Sequence, residues 1–242
     1  MSSSQPRSAF DTRAVSVPKD SPAARAVLHE YSVVQGRVDA FFAAVLQRHP
    51  TQLQCQKGCH GCCQAGLSVS AIEAAAIRDY LRSLPVDDRA RLKALLQAGT
   101  SSNRTAPATA DRDPSCALLT EDGLCTIYPA RPLVCRSQGL PLAYAPELIP
   151  EQALRFRAKD GRAVVLCPLN FAPDADPAAS IVEAAESVEP TAADILDGDR
   201  LDVLLALLNR RYVDSLGGNP QDALARVDLA DLVRDLCDSA PT

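Results

Sequence analysis

Between residues 55 and 63 the chain places four cysteines and one histidine within nine positions, Cys55-Gln-Lys-Gly-Cys59-His-Gly-Cys62-Cys63. The two glycines of this run allow the backbone to adopt positive φ, so that several side chains can turn toward one point. Convergent soft ligands are what a metal ion or cluster requires, and a hydrophobic core does not require them. We therefore expect the rest of the 242-residue chain to fold as a scaffold around this loop.

A second cysteine region follows at Cys116, Cys125, Cys135 and Cys167, each of which stands beside a turn, a proline or a glycine. The segment Thr120-Glu-Asp-Gly123 predicts a short β-hairpin turn, with Cys116 and Cys125 on its opposing strands. Pro129, Pro132 and Pro141 predict irregular structure around Cys135, so none of the eight cysteines is expected in the middle of a helix. The ninth, Cys237, ends a helical apolar stripe and is expected to be a small buried hydrophobic residue.

We predict that eight cysteines bind metal: Cys55, Cys59, Cys62, Cys63, Cys116, Cys125, Cys135 and Cys167. The adjacent side chains of Cys62 and Cys63 point in different directions, so two neighbouring centres or one multinuclear centre fit these thiolates better than one ion. Lys57, Arg131 and Arg136 lie beside the ligands and can offset their negative charge. A surface ion pair is the alternative role for the two arginines. His60 is a further candidate ligand.

Charge and hydropathy exclude several classes of function. Thirty acidic and 25 basic residues give a net charge of −5, which argues against a general nucleic-acid or membrane-surface binder. No apolar run approaches the roughly 18 residues of a membrane span, and residues 1–14 lack the apolar core of a secretory signal. We therefore expect a cytoplasmic protein, in which clustered thiols stay reduced and serve metal or redox chemistry.

The predicted fold is mainly α with small β-hairpins, an α+β class in which helices pack around an irregular cysteine-rich centre. A long amphipathic helix is expected from Ser21-Pro22 to about His49, and the apolar faces of the first and last helices are expected to pack together. Further helices are predicted over 71–83, 87–97, 199–216 and 221–237, a loop over 99–114, and a second hairpin at 153–158 and 162–166. The predicted organisation is a flexible tail (1–20), a metal-binding domain (21–170), a linker (171–190) and C-terminal helices that pack on the core (191–242).

The cluster at 55–63, together with Cys125-Thr-Ile-Tyr-Pro-Ala-Arg-Pro-Leu-Val-Cys135-Arg136, resembles the bacterial CxxCxxCC-type cysteine-cluster family, whose domain is described as zinc- or iron-chelating. The resemblance covers roughly residues 50–170 and implies bound zinc or iron, with an iron–sulfur cluster as one form. A distant relative of this family, flagellin lysine-N-methylase, implies an enzyme alternative by analogy. The chain departs from the pattern in its Ala-rich C-terminal segment and in a first Cys–Cys gap of three residues instead of two.

The spacing Cys-x-x-x-Cys-x-x-Cys is also the one by which radical S-adenosylmethionine enzymes hold a 4Fe–4S cluster. In those enzymes the loop follows the first strand of a β/α barrel. Here it follows a long helix, and no alternating series of strands and helices comes after it. We therefore do not expect that barrel, although a cluster bound in a similar way on another scaffold stays open.

Other catalytic motifs are missing, since the chain has no Gly-x-Ser-x-Gly, no phosphate-binding loop and no dinucleotide-binding glycine motif. Three functions remain. The first is a metal-binding protein with a structural or metal-handling centre, the second an iron–sulfur-dependent enzyme related to protein-lysine methylases, and the third a cysteine-based redox sensor. The expected partner is a metal ion; a protein partner is left open, and neither nucleic acid nor a membrane is expected.

Overall fold

The computed structural model describes residues 21–104, 115–150, 156–171 and 189–238. In these ranges the chain is mainly helical with small β-sheets, which confirms the predicted α+β class. The helices are α1 (Pro22–Arg48), α2 (Ala71–Ser83), α3 (Val86–Arg104), α4 (Leu133–Ser137), α5 (Gly198–Ser215) and α6 (Leu229–Asp238). The strands are β1 (Ser68–Val69), β2 (Leu142–Tyr144), β3 (Phe156–Arg157), β4 (Ala163–Val165), β5 (Leu196–Asp197) and β6 (Val227–Asp228). The predicted tail and most of the predicted 171–190 linker lie outside the described residues.

Helix α1 begins and ends where the sequence predicts. The Ser21 hydroxyl accepts a hydrogen bond from the Ala24 N–H at 3.4 Å, and Pro22 occupies the first helical position. The apolar face that the spacing predicts is buried at Val27, Tyr31, Val34, Val38 and Val45. This face packs against α5 and α2, which confirms α1 as an amphipathic core helix.

Helix α2 stands between two halves of the core. Ile72 and Ala75 pack with α1 and α5, whereas Ala74, Ile77 and Leu81 pack with α3 and α6. The first helix therefore packs chiefly on α5 and α4 and less on α2, and the last packs on α3 and α2. The expectation that the first and last helices pack together is wrong, because α2 is apolar on both sides and separates them.

A four-stranded sheet of order β3-β4-β2-β5 lies beside the helices. Strands β3 and β4 form the predicted hairpin, turning at Gly161 with φ of +86°; residues 153–155 of that prediction lie outside the described residues. Strand β5 pairs parallel with β2, which fastens the segment before α5 to the centre of the molecule.

Two predicted element boundaries are wrong, and one helix was not predicted. Helix α3 continues through Arg104, because Gly99 is tolerated inside a helix at a cost of about 1 kcal/mol. Helix α6 begins at Leu229, since β6 pairs with β1 and Asp228 accepts hydrogen bonds from the first backbone N–H groups of the helix. The segment after Pro132 forms helix α4. Proline is tolerated at the N-cap, because the N–H group that it lacks would have no partner within the helix.

None of the helices within the described ranges combines the length and the hydrophobicity that a membrane span requires.

Candidate metal centre

The first cysteine loop connects α1 to β1 and is folded by two tight turns. The Cys59 N–H bonds to the carbonyl of Gln56, and the Cys63 N–H bonds to the carbonyl of His60, each at 2.9 Å. Gly58 has φ of +96°, a conformation that a residue with a Cβ adopts only at a cost. The glycine spacing therefore places four thiols along one short, strongly bent segment, as the sequence predicts.

The second region meets this loop through the backbone. The Cys116 N–H bonds to the carbonyl of Cys63 at 2.8 Å, and an isolated bridge pairs Leu119 with Cys125. The predicted turn is present, with Gly123 at φ of +72°. The predicted strands are not, because the backbone of Cys116 bonds to the first loop and not across the hairpin. Cys116 and Cys125 thus come together with Cys63.

Cys135 is carried by α4, contrary to the prediction that no ligand lies inside a helix. The position of α4 is fixed by Glu73, which is 2 % exposed and whose carboxylate accepts a hydrogen bond from the Leu133 N–H at 3.2 Å. The same carboxylate accepts the N–H of Ser70 at 2.9 Å and its hydroxyl at 2.8 Å. A buried acidic group therefore ties the start of α2 to the helix that carries Cys135.

Arg136 has a structural role that neither sequence interpretation includes. Its guanidinium group is 7 % exposed, forms an ion pair with Asp39 of α1, and donates to the carbonyls of Arg131 at 2.8 Å and Pro129 at 2.5 Å. The alternative of a surface ion pair is wrong for this residue because the group is buried. Its hydrogen bonds hold the 129–136 segment in shape.

The positively charged side chain of Arg131 acts on the thiols of Cys125 and Cys135. Its guanidinium carbon lies 3.5 Å from the centroid of the Tyr128 ring, a cation–π contact that orients the side chain. Its charge lowers the pKa of Cys125 and of Cys135, against the larger effect of burial. Of the two arginines, Arg131 thus stabilises thiolates, whereas the guanidinium of Arg136 binds a carboxylate and backbone carbonyls.

Asn170 is a site residue that sequence reasoning missed. It is fully buried, and its side-chain amide donates to the Cys55 sulfur at 3.2 Å and to the Gly139 carbonyl at 2.7 Å. Its oxygen accepts the Gln54 N–H at 2.8 Å, and its own N–H bonds to the carbonyl of Cys167 at 3.0 Å. Asn170 therefore joins the first cysteine loop to the turn that carries Cys167. The only local signal was its place three residues after Cys167 and two after Pro168.

Seven of the predicted ligands line one cavity of about 830 Å³: Cys55, Cys59, Cys62, Cys63, Cys116, Cys125 and Cys135. Lys57 and Arg131 line it as well. All eight predicted ligands, Cys167 included, are free thiols. Three separate segments of the chain therefore bring soft donors to a shared space.

The thiols are neighbours but do not yet form a coordination site. In the described part of the chain, no three His, Cys, Asp or Glu side chains already stand in a geometry that would hold an ion. Coordination therefore requires thiol side chains to rotate toward a common point. The donor set itself fits zinc or iron, because thiolates are the preferred ligands of both in such clusters and N–H donors stand beside sulfur.

Burial keeps six of these thiols protonated when no metal is bound. Together with the charges of neighbouring thiols, it raises the pKa of Cys55 and Cys62 to about 11 and that of Cys135 to about 12. The pKa values of Cys63, Cys116 and Cys125 are also raised, chiefly by burial. A metal ion must therefore displace protons when it binds.

His60 lies on the outside of this arrangement. Its Nδ1 is 3.1 Å from the carbonyl oxygen of Gly58, and its exposed ring packs over Gly123, where an added Cβ would lie 2.6 Å from Nδ1. The Cys237 side chain lies outside the described residues. Its expected role as a small hydrophobic residue stays a prediction.

Comparison with known families finds a match over the segment that holds most of these residues. Residues 54–149 match the family model CxxCxxCC, described as "Putative zinc- or iron-chelating domain". The matched segment, which is less than half of the chain, is thus similar to a CxxCxxCC domain. It holds the seven cavity-lining cysteines, while Cys167 and Asn170 lie beyond it. Neither the curated proteins nor the solved structures contained a match to the chain. The kinship to flagellin lysine-N-methylase stays a prediction.

Proposed function

We propose that this protein holds zinc or an iron centre through its clustered cysteine thiolates, and that the centre has a structural or metal-handling role. The observation that carries the proposal is the convergence of seven free thiols, from three segments of the chain, on one cavity of the segment that matches the CxxCxxCC family model. Sites made only of thiolates, with no open position, are commonly structural. A reducing compartment such as the cytoplasm suits these free thiols.

The pKa directions weigh against the redox-sensor alternative. A sensor cysteine reacts as a thiolate and therefore needs a lowered pKa. Burial raises the pKa of Cys55, Cys62 and Cys135. Without a metal these thiols are poor nucleophiles, whereas a bound ion would hold them as thiolates.

The size of the cavity supports one second candidate, an iron–sulfur-dependent enzyme. Its volume of about 830 Å³ is within the roughly 300–1,000 Å³ of small-molecule sites and far exceeds what one ion occupies. An apolar wall that includes Phe42 and Leu124 adjoins the thiols. If the purified protein contains iron and sulfide, binding of S-adenosylmethionine is the test of this candidate, because the methylase analogy requires that cofactor.

Metal content of cysteine variants tests the proposal. Cys59→Ser and Cys62→Ser each remove a soft ligand from the cavity, and we expect both to bind less metal and to melt at a lower temperature. Cys237→Ser is the matched control, since it makes the same substitution outside the predicted set and should change neither quantity. Metal content and melting temperature equal to wild type in both cavity variants would overturn the proposed site.

A further inference from the structure

The segments that carry the thiols border two different parts of the core. Cys116 and Cys125 pack against the apolar cluster that α2, α3 and α6 form. Leu53, two residues before Cys55, and Phe171, four residues after Cys167, belong to a separate cluster with Val45 and Leu140. The cavity is thus bordered by two independently packed walls.

Hydrogen bonds connect Cys55 with the turn of Cys167 and, separately, Cys63 with the segment of Cys116 and Cys125. On one side, the Asn170 amide joins Cys55 to the turn of Cys167, and the turn at Cys59 keeps the next thiols of the loop nearby. On the other side, the backbone joins Cys116 directly to Cys63, and the Leu119–Cys125 bridge sets Cys125 next to them.

The thiols close enough to act on Cys55 by their charge differ from those that act on Cys135. Cys167, Cys59 and Cys62 act on Cys55, whereas Cys125, Cys63 and Cys116 act on Cys135. Cys62 and Cys63 are adjacent and act on each other, and Cys59 also acts on Cys63, so the two sets of thiols meet at this point of the loop. Cys55 and Cys135 therefore each have their own set of three thiol neighbours.

We propose that the eight cysteines form two four-thiolate centres, one of Cys55, Cys59, Cys62 and Cys167 and the other of Cys63, Cys116, Cys125 and Cys135. This division rests on the proposed metal-binding function. It assigns the two adjacent cysteines to different centres, which explains why a chain that needs both would place them side by side. It also makes Cys167, which lies outside the matched domain, the ligand that completes the first centre.

Each proposed centre has its own neighbouring group that offsets the negative charge of its thiolates. Four thiolates on one divalent ion leave a charge of about −2, so two adjacent centres repel each other unless nearby groups offset that charge. Asn170 donates to Cys55 in the first centre, and Arg131 acts on Cys125 and Cys135 in the second. Since Cys62 and Cys63 are adjacent in the chain, the two centres would lie next to each other.

Paired substitutions test the division by metal stoichiometry. Reduced protein is loaded with zinc without oxygen, freed of excess ion and analysed for zinc per chain; we expect about two equivalents for wild type. The variants Cys55→Ser/Cys167→Ser and Cys116→Ser/Cys125→Ser each remove two ligands from one centre and should retain about one equivalent. Cys55→Ser/Cys116→Ser also removes two thiols, but one from each centre, and should lose most of both.

A substitution that keeps every thiol guards against variants that fail to fold. Asn170→Asp retains an oxygen for the Gln54 N–H but no longer donates to the Cys55 sulfur. We expect zinc affinity, measured by chelator competition, to fall about 10–100-fold at the first centre and to stay unchanged at the second. Arg131→Gln should weaken the second centre alone.

The outcomes separate the two proposals. Wild-type protein that binds no metal would overturn the proposed function itself. Wild type that binds metal while either single-centre variant loses all of it, or while the mixed variant retains as much as the single-centre variants, would overturn the division and leave metal binding standing. Equal weakening of both centres by Asn170→Asp would also contradict the division.

Discussion

At the scale of single residues, the sequence predicted caps and turns, which depend on residues close in the chain, but not contacts between residues far apart in the chain. The cap at Ser21 and the turn at Gly123 depend on neighbours within a few positions, and both are where the sequence predicts. Asn170 bonds to Cys55 and Gly139, which lie 115 and 31 positions away. A sequence pattern cannot reveal such a partner, because only the folded chain brings it near.

Gly139 gives the sharpest prediction at this scale. It has φ of +96°, and an added Cβ would lie 2.4 Å from the Cys55 sulfur and 3.1 Å from the Asn170 amide nitrogen. Gly139→Ala should therefore displace Cys55, lower the metal content and destabilise the fold by more than the roughly 1–2 kcal/mol of a strained backbone. Gly66→Ala is the control, since Gly66 has φ of +78° but no atom within 4 Å of the added Cβ. If both variants bind as much metal as wild type, Gly139 does not shape the site.

At the scale of elements, helices with strong periodicity were predicted well and short elements held by tertiary contacts were not. Helices α1, α2 and α5 lie within a residue or two of their predicted bounds. Helix α4 was not predicted, because Pro129 and Pro132 were interpreted as helix breakers. Both stand at the start of a short helix, where proline is tolerated. Helix α6 begins late because β6 pairs with a strand near residue 68.

The link between α2 and α4 can be tested at Glu73. One carboxylate oxygen accepts the Leu133 N–H and the other accepts the Ser70 groups. In Glu73→Gln an NH₂ group replaces one oxygen, so in either orientation a buried N–H loses its acceptor. We expect a loss of about 1–3 kcal/mol in the free energy of unfolding, measured with denaturant.

Glu30→Gln provides the comparison for that measurement. Glu30 is a half-exposed residue of α1 whose carboxylate pairs with Arg211 of α5. Surface pairs of this kind add little stability, so the loss should be clearly smaller than for Glu73→Gln. Equal losses would mean that the buried carboxylate does not hold α4.

At the scale of the whole molecule, composition and helical periodicity were enough to predict the fold class and the existence of a cysteine-rich centre. They could not predict how the helices surround it, since α2 is buried on both faces and separates α1 from α6. Nor could they predict what fastens the C-terminal segment to α1. The structure assigns that to Asp194, fully buried, which accepts hydrogen bonds from Arg48 at 2.8 Å and Thr191 at 2.7 Å and lies 3.0 Å from His49.

The contribution of Asp194 should depend on pH. Burial alone would raise the pKa of this carboxyl, but the hydrogen bonds from Thr191, Arg48 and His49 outweigh it and hold the pKa well below its usual range. A lowered folded-state pKa adds stability above the unfolded value of about 3.9, and that stability is lost as the pH falls toward the folded value. Asp194→Asn should thus cost on the order of 2 kcal/mol at pH 7, and its difference from wild type should shrink below about pH 4.

Denaturant unfolding of both proteins from pH 7 down to pH 3 measures this difference. Because wild type and variant carry the same cysteines, any loss of metal at low pH affects both alike. A difference that stays constant over this range would show that ionised Asp194 does not stabilise the fold.

The most direct test of the central claim is the metal content of wild-type protein purified without oxygen, measured by elemental analysis together with the visible spectrum. The account predicts zinc or iron in near-stoichiometric amount. Colourless protein with zinc would favour a structural or metal-handling centre and direct the search to a protein partner. Brown protein with iron and matching sulfide, absorbing near about 400 nm, would favour an iron–sulfur centre. Reduced, folded protein that holds neither metal, and takes up neither when it is supplied, would contradict the account.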